Sequence, residues 1–306
     1  ILSGPAGGIV GMARTAQEAG FDRVIGFDMG GTSTDVSHFA GTYERSAERE
    51  VAGARVRAPM LEIHTVAAGG GSICRYQDGR LRVGPQSAGA VPGPACYRRG
   101  GPLTVTDCNV LLGKIRPEHF PAVFGPAGDQ PIDVAAVRTR FEALSAETGL
   151  SPEELARGFL RIAVDNMASA IKAISVARGH HVTRYALNCF GGAGGQHACL
   201  VADALGIGTV LVHPLAGVLS AHGIGIADRS LIRQRSWGQL VSEDLPFDAL
   251  EEEARAAMVA QGAVEMVVRR RVALRYEGSD SAIEVEAAHV AAMLDAFEAA
   301  HRGRFG

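Results

Sequence analysis

The sequence predicts an α/β fold followed by a small C-terminal α+β module. Apolar strands alternate with helical segments through the middle of the 306-residue chain. Hydrophobic residues make up 47 % of the chain, which is enough for a sizeable core. The pattern changes near residue 231. We therefore expect one large domain over residues 1–230 and the α+β module, as an incomplete unit, over residues 231–306.

Helical spacing of apolar residues, together with end signals, predicts the helices. A turn at Gly-Pro-Ala-Gly-Gly should precede the first, and Gly20 suits its left-handed end. Thr106 or Asp107 would cap the second. Ser151 and Glu154 form a capping box before the longest. The predicted helices are 8–19, 104–115, 133–147, 152–178, 196–205, 217–226, 248–261 and 288–300.

Short apolar runs bounded by turn residues predict the strands. Gly41 should join two of them as a hairpin. Asp78-Gly79 should turn a second hairpin within 73–84, because both residues tolerate a positive φ. The predicted strands are 23–29, 34–40, 42–48, 184–190, 209–213 and 264–276.

Charge and cysteine usage exclude several classes of protein. The formal net charge is −3 and no basic face stands out, so we expect no nucleic-acid partner. No signal peptide or long apolar run is visible, so we expect no membrane partner. The five cysteines are widely spaced and form no C-x-x-C pair, which favours free thiols and a cytoplasmic location.

The segment FDMGGTSTD, residues 27–35, predicts a phosphate-binding turn. Its two glycines allow a sharp turn that presents backbone N–H groups, and three hydroxyls add donors. Two carboxylates flank the turn and could hold Mg²⁺ through oxygen ligands, or one could orient a nucleophile. A plain hairpin with solvated acids is the alternative. The predicted phosphate ligands are Gly30, Gly31, Thr32, Ser33 and Thr34, and the predicted metal ligands are Asp28 and Asp35.

A second glycine-rich segment, CFGGAGGQHA at residues 189–198, follows a strand and opens a helix. It is not a dinucleotide turn, because His197 stands where the last glycine would be and no acid ends the next strand. Gly113-Lys114 likewise lacks the rest of a Walker phosphate loop. The two loops predict one cleft, with phosphates at the first and adenosine at the second. The predicted adenosine ligands are Gly191, Gly192, Ala193, Gly194 and Gly195.

Four other residues are candidates with two interpretations each. His64 precedes a third glycine loop, AAGGGS at 67–72, and is either a substrate or phosphate contact or a hydrogen-bonded core histidine. Asp107 is a helix cap or a functional residue. His197 contacts a ligand or begins a helix. Cys96 has no activating partner in the sequence, so a buried, unreactive thiol is favoured over a nucleophile.

Five segments together resemble the hydantoinase A/5-oxoprolinase family, in that family's usual order and over about residues 1–230. They are ILSGPAGGIVG, DMGGTSTDV, HTVAAGGGSI, GPACYRRGGPLTVTD and FGGAGGQHA. The tail LRYEGSDSAIEVE, residues 274–286, resembles the ATP-dependent 5-oxoprolinase branch.

The resemblance implies a ribonuclease-H-like ATPase lobe of the actin and sugar-kinase type, with glycine-rich insertions, that uses ATP and Mg²⁺. It implies phosphorylation of the lactam oxygen of 5-oxo-L-proline and ring opening by water to L-glutamate, a step of glutathione metabolism. Asp35 and His64 are the expected catalytic residues. The implied partners are a cyclic amide substrate and a hydantoinase B-type hydrolytic subunit or fused domain, and we expect an oligomer.

One departure affects these expectations. Members of that family carry an earlier D-x-G-G-T motif in a preceding domain, and this chain has only the one at residues 28–32. We therefore expect a fragment that lacks the N-terminal domain and is inactive alone. The alternatives are an N-methylhydantoinase, the ATP-using subunit of an acetone-type carboxylase, and a non-catalytic actin-like ATP-binding switch. The glycine-rich loops 67–72 and 84–101 favour an enzyme over a switch.

Overall fold

The computed structural model describes residues 3–51, 54–242, 244–279 and 281–305, and it describes side chains outside 46–59. The chain divides into two compact units. The larger comprises Ile1–Ser175 and His181–Ala227, and the smaller comprises Val176–His180 and Asp228–Gly306. Among the described residues, no helix combines the length and apolar character that a membrane span requires.

The strands and helices are numbered in chain order. The strands are β1 (Arg23–Met29), β2 (Thr34–Ala40), β3 (Arg45–Val51), β4 (Ala54–Leu61), β5 (His64–Val66), β6 (Ser72–Gln77), β7 (Arg80–Ser87), β8 (Ala186–Phe190), β9 (Val210–Leu211), β10 (Arg271–Leu274) and β11 (Ile283–Glu286). The helices are α1 (Ser3–Glu18), α2 (Val105–Leu111), α3 (Val134–Thr148), α4 (Pro152–Ala177), α5 (Ala198–Leu205), α6 (Leu219–Ile226), α7 (Phe247–Ala260) and α8 (Val290–Phe305).

A five-stranded mixed sheet in the order β5-β2-β1-β8-β9 organises the larger unit. Strand β2 is antiparallel to both β1 and β5, whereas β8 runs parallel to β1 and β9 parallel to β8. Three antiparallel strands followed by two parallel ones are the arrangement of a ribonuclease-H-like lobe. The predicted fold class is confirmed.

The two faces of this sheet bury separate apolar cores, because side chains alternate along each strand. On one face, Phe27 and Leu187 pack with apolar residues of α2, α3, α4 and α5. On the other, Val24 and Phe190 pack with α1 and with Leu219 of α6. The helices therefore cover the sheet and leave the carboxyl ends of β1 and β8 for loops.

Two predicted elements are wrong near the start of the chain. Helix α1 begins at Ser3, so the segment predicted as a glycine turn is helical. Helix α1 needs glycine at Gly7 and Gly11 because the backbone of α6 approaches both positions closely. The predicted hairpin of 34–40 with 42–48 is wrong, since β3 pairs with β4 instead. β5 occupies the edge of β2 opposite β1 over Thr34–Val36, and of the predicted pairing the described residues form only the single bridge between Phe39 and Tyr43.

Later elements agree better with the predicted boundaries. The hairpin β6–β7 turns at Asp78 and Gly79, which have φ values of 53° and 72°. Ser151 and Glu154 form the predicted capping box of α4, with the Ser151 N–H donating to Glu154 at 2.9 Å. The cap of α2 is Thr104, two or three residues before the predicted Thr106 or Asp107.

The smaller unit contains α7, α8 and the two-stranded antiparallel sheet β10–β11. Its buried core consists of Val285, Met293 and Phe297. The strand predicted over 264–276 is wrong in length, because only Arg271–Leu274 pairs with β11. A single partner of four residues limits the ladder to that length.

Candidate functional site at the ends of β1 and β8

The turn between β1 and β2 carries the predicted phosphate ligands. The Gly30 N–H donates to the Ser33 carbonyl at 3.0 Å, which closes the turn. Gly31 and Thr32 are exposed at its tip. Thr34 is different, since its buried hydroxyl donates to the Ala68 carbonyl at 2.6 Å. That hydroxyl is therefore engaged in holding the neighbouring loop.

Asp28 and Asp35 are cross-strand partners on β1 and β2, so both side chains lie on the same face of the sheet. The Thr65 hydroxyl donates to Asp35 Oδ1 at 2.7 Å. Burial and the charge of Asp35 raise the pKa of Asp28 to about 6, while the Ser220 hydroxyl, 3.5 Å from Asp28 Oδ2, acts in the opposite direction. Two facing carboxylates of this kind provide the hard oxygen ligands that a divalent cation prefers.

The predicted adenosine loop follows β8, the parallel neighbour of β1. Gly191 has a φ of 81°, and a Cβ there would overlap the Asp28 carboxylate and the Met29 carbonyl. The Ala193 N–H donates to that same carbonyl at 2.9 Å. The structure thus brings this loop directly against the end of β1. The two predicted loops lie side by side.

The glycines of this loop face in different directions. A Cβ on Gly194 would lie 2.8 Å from Cys189 Sγ, so Gly194 faces the core. At Gly192 and Gly195, an added Cβ would have no heavy atom of the described residues within 4 Å. These two positions are the open side of the loop.

The third glycine loop, residues 67–72, lies on the β1–β2 turn. The N–H groups of Gly70 and Gly71 donate to the carbonyls of Gly30 and Gly31 at 3.2 and 2.6 Å. Two backbone hydrogen bonds therefore hold this loop against the predicted phosphate ligands.

Our predicted site did not include the glycines of this third loop. A Cβ on Gly69 would lie 2.7 Å from the Thr32 carbonyl carbon, so the close approach of the two loops requires glycine there. The run of three glycines was the available signal. Nothing in the sequence showed which loop they contact.

His64 lies apart from the two carboxylates. It is the cross-strand partner of Val36, whereas Thr65 is the partner of Asp35. Adjacent residues of a strand point to opposite faces, so His64 and Asp35 are on different faces of the sheet. The Nε2 atom of His64 is 3.7 Å from Glu62 Oε1.

Asp107 forms a buried connection between α2 and the loop that precedes it. Its carboxylate accepts hydrogen bonds from the N–H groups of Thr104, Ala95 and Cys96, at 2.8, 3.1 and 2.9 Å, and from the Thr104 hydroxyl. Burial raises the pKa of the Cys96 thiol far above its usual range, and the adjacent Asp107 raises it further. A thiol of this kind is unreactive.

His197 is buried beside Asn109, whose Nδ2 atom is 3.1 Å from its Nε2. Burial, and then the charge of Lys114, lower the pKa of His197 to about 4. The ring is therefore neutral at pH 7. The glycine-rich segment at 189–198 indicated His197, but no sequence pattern indicated Asn109, which lies 88 residues earlier in the chain.

Three comparisons with known proteins bear on this site. 5-oxoprolinase 1 of Arabidopsis thaliana is 44 % identical over 307 residues, covering 94 % of this chain and 24 % of that protein. Caprolactamase subunit alpha of Pseudomonas jessenii is 36 % identical over 233 residues, covering 74 % of this chain and 33 % of that subunit. The crystal structure of the ATP-dependent caprolactamase from Pseudomonas jessenii is similar with a TM-score of 0.80 and 30 % identity, covering 99 % of this chain and 46 % of that one.

The chain thus spans about a quarter of the length of the oxoprolinase that it matches. The family described as hydantoinase/oxoprolinase matches residues 1–233, which is most of the chain and contains every loop described above. On this match and on the shared fold, the chain belongs to the hydantoinase/oxoprolinase family.

Proposed function

We propose that the complete protein uses ATP to hydrolyse a cyclic amide, with 5-oxo-L-proline as substrate and L-glutamate, ADP and phosphate as products. One observation supports this most. The Gly191–Gly195 loop, the β1–β2 turn and two carboxylates lie together at the carboxyl ends of β1 and β8. The identity to an oxoprolinase over 94 % of the chain favours 5-oxo-L-proline over caprolactam.

The proposed chemistry begins with an amide that water does not attack readily. Transfer of the γ-phosphoryl group to the lactam oxygen breaks a P–O bond of ATP, and ADP leaves. A first water adds to the activated carbon, and the ring C–N bond breaks with the amine as leaving group. The resulting acyl phosphate takes a second water and releases phosphate. Catalysis of this kind depends mainly on positioning and charge neutralisation.

The proposed roles follow from the positions of the residues. The open glycines of the 191–195 loop would lie against adenosine, and the turn at Gly30–Ser33 against the phosphates. Asp28 and Asp35 would hold Mg²⁺, which neutralises phosphate charge when bound. Asp35 would also orient the attacking group. His64 lies on the other face, so we give it no part in phosphoryl transfer and keep it as a candidate contact for the amide.

The domain and partner proposals concern the complete protein. We propose residues 1–230 as the nucleotide-binding domain and 231–306 as the α+β module. We also propose a hydantoinase B-type hydrolytic region, fused or separate, and an oligomeric assembly. The comparison with a protein named as an alpha subunit supports a multi-part enzyme. The free state of all five cysteines supports a cytoplasmic location.

The test is ADP release by the complete protein with a panel of small molecules. The panel comprises 5-oxo-L-proline, caprolactam, N-methylhydantoin, acetone with bicarbonate, and no addition. We expect ADP release to require 5-oxo-L-proline and to equal the glutamate formed. Dependence on another panel member would replace the substrate. ADP release without any addition would support the ATP-binding switch and contradict the proposal.

A further inference from the structure

Helix α2 contacts two of the glycine loops from one side. The Thr106 N–H and the Thr106 hydroxyl both donate to the Gly70 carbonyl, each at 2.8 Å. Asn109 lies three residues later on the same face of the helix. A Cβ on Gly70 would lie 3.9 Å from Ala193 Cβ, so the two loops that contain these residues lie next to each other.

Asn109 connects α2 to the end of the Gly191–Gly195 loop. It is fully buried, and its Nδ2 donates to Gln196 Oε1 at 2.7 Å and lies 3.1 Å from His197 Nε2. The neutral His197 ring can accept a hydrogen bond at Nε2 when the proton is on Nδ1. Both amide hydrogens of Asn109 are then engaged by the two residues that directly follow the loop. Lys114 adds a third connection, from Nζ to the Gln196 carbonyl at 3.0 Å.

Stability alone does not explain this polar cluster. His197 Nδ1 and Asn109 Oδ1 are buried and have no hydrogen-bond partner among the described residues. Burying polar atoms without partners costs free energy, and apolar side chains of similar size would avoid that cost. The presence of these unpaired polar atoms is better explained by the geometry that the cluster imposes on the adjoining loop.

We propose that Asn109 is a positioning residue for nucleotide binding, acting through Gln196 and His197 to hold the Gly191–Gly195 loop in its binding conformation. This inference rests on the proposed nucleotide site. Asn109 itself would not contact the nucleotide. Its removal should weaken ATP binding more than it slows the reaction at saturating ATP.

The first test replaces Asn109 by Leu in the complete protein, which removes both hydrogen bonds while keeping a similar volume. We expect the KM and Kd for ATP to rise about tenfold, as for the loss of one or two net hydrogen bonds, and kcat to change little. The matched control is Val110→Ala, a buried apolar change on the same helix. It should lower the unfolding temperature and leave the Kd for ATP unchanged.

The second test is a double-mutant cycle with Gln196→Met, measured as the Kd for ATP. If the two residues act through their hydrogen bond, the double variant should bind ATP no more weakly than Asn109→Leu alone. The inference would be overturned if the two substitutions weakened ATP binding additively, or if Gln196→Met bound ATP with wild-type affinity. If Asn109→Leu does not fold, the ATP affinity of Gln196→Met decides the question alone. Wild-type protein that binds no ATP would overturn the proposed function as well, whereas equal binding by wild type and variants would overturn the inference only.

Discussion

At the scale of single residues, Asp28 combines partial burial with a facing carboxylate. Its pKa of about 6 in the folded chain exceeds the ordinary value of 3.8, chiefly because burial disfavours the charged form. Between these two values the folded state binds the proton more tightly than the unfolded state. Stability therefore falls as the pH rises from about 4 through 6.

This sign gives a prediction for Asp28→Asn. In EDTA and without nucleotide, the variant should unfold at a higher temperature than wild type at pH 8, and the difference should disappear near pH 4. Thermal unfolding at a series of pH values measures it. An equal difference at both pH values would show that the ionisation of Asp28 is not the cause.

The two orientations of glycine in the 191–195 loop predict different effects of a bulky substitution: one should weaken ATP binding and the other should lower stability. Gly195→Val adds atoms on the open side, so we expect unchanged stability and ATP binding weakened by about tenfold or more. In Gly194→Val the added atoms would clash with Cys189, so the free energy of unfolding should fall by about 1–3 kcal/mol. Thermal unfolding and ATP titration of both variants separate the effects. Normal ATP affinity in Gly195→Val would remove this loop from the nucleotide site.

Asp35 is the residue proposed to orient the attacking group. Asp35→Asn keeps the size of the side chain and a possible contact with Thr65, but removes the charge. In the complete protein, kcat should fall by about a hundredfold while the Kd for ATP changes little. Asp22→Asn, at an exposed position before β1, is the control. Near-normal turnover in Asp35→Asn would exclude it from the mechanism and favour a plain hairpin.

At the scale of elements, α1 and α6 pack backbone against backbone. An added Cβ on Gly11 would lie 2.7 Å from the Leu219 carbonyl oxygen, and one on Gly223 would overlap the Gly7 carbonyl. This contact also sets the position of Ser220, which reaches Asp28. Close helix packing on one face of the sheet thus influences a carboxylate at its end.

The packing predicts different outcomes for two glycines of α6. Gly223→Ala should destabilise the fold by about 1–3 kcal/mol, because its Cβ would displace the α1 backbone. Gly225→Ala should be neutral or stabilising by up to about 1 kcal/mol, since nothing described lies within 4 Å and alanine favours helix. Denaturant unfolding compares them, and equal effects would contradict the close approach.

At the scale of the whole molecule, the two compact units differ in core size, since the smaller buries only three apolar residues in its described part. Residues 228–242 and 244–246 contain no helix or strand and are mostly exposed. They include Arg229, Arg233 and Arg235. This segment coincides with the proposed domain boundary near residue 230.

Limited trypsin digestion tests that boundary. We expect early cleavage at these arginines, because exposed backbone outside regular structure is the preferred site of nicking. Mass spectrometry of the products should find the region up to about residue 230 more resistant than the region after it. Earlier cleavage at Arg75 in β6 or at Arg161 in α4 would contradict a compact larger unit.

Local chemistry made much of the fold predictable. The capping box at Ser151 and Glu154, the positive-φ turn at Asp78-Gly79 and the apolar run of β1 all depend on neighbouring residues. The motif FDMGGTSTD likewise indicated a turn between two strands with flanking acids. The sequence by itself therefore determined most element types, the position of the turn and the two acids that flank it.

Contacts between distant segments decided the rest. Strand periodicity tells which residues share a face but not which strand lies alongside, so it could not show that β3 pairs with β4 or that His64 faces away from Asp35. Nor could it show that the loop 67–72 rests on the β1–β2 turn, or that Asn109 reaches His197. These arrangements follow from packing and hydrogen bonding between segments tens of residues apart, which only the tertiary structure brings together.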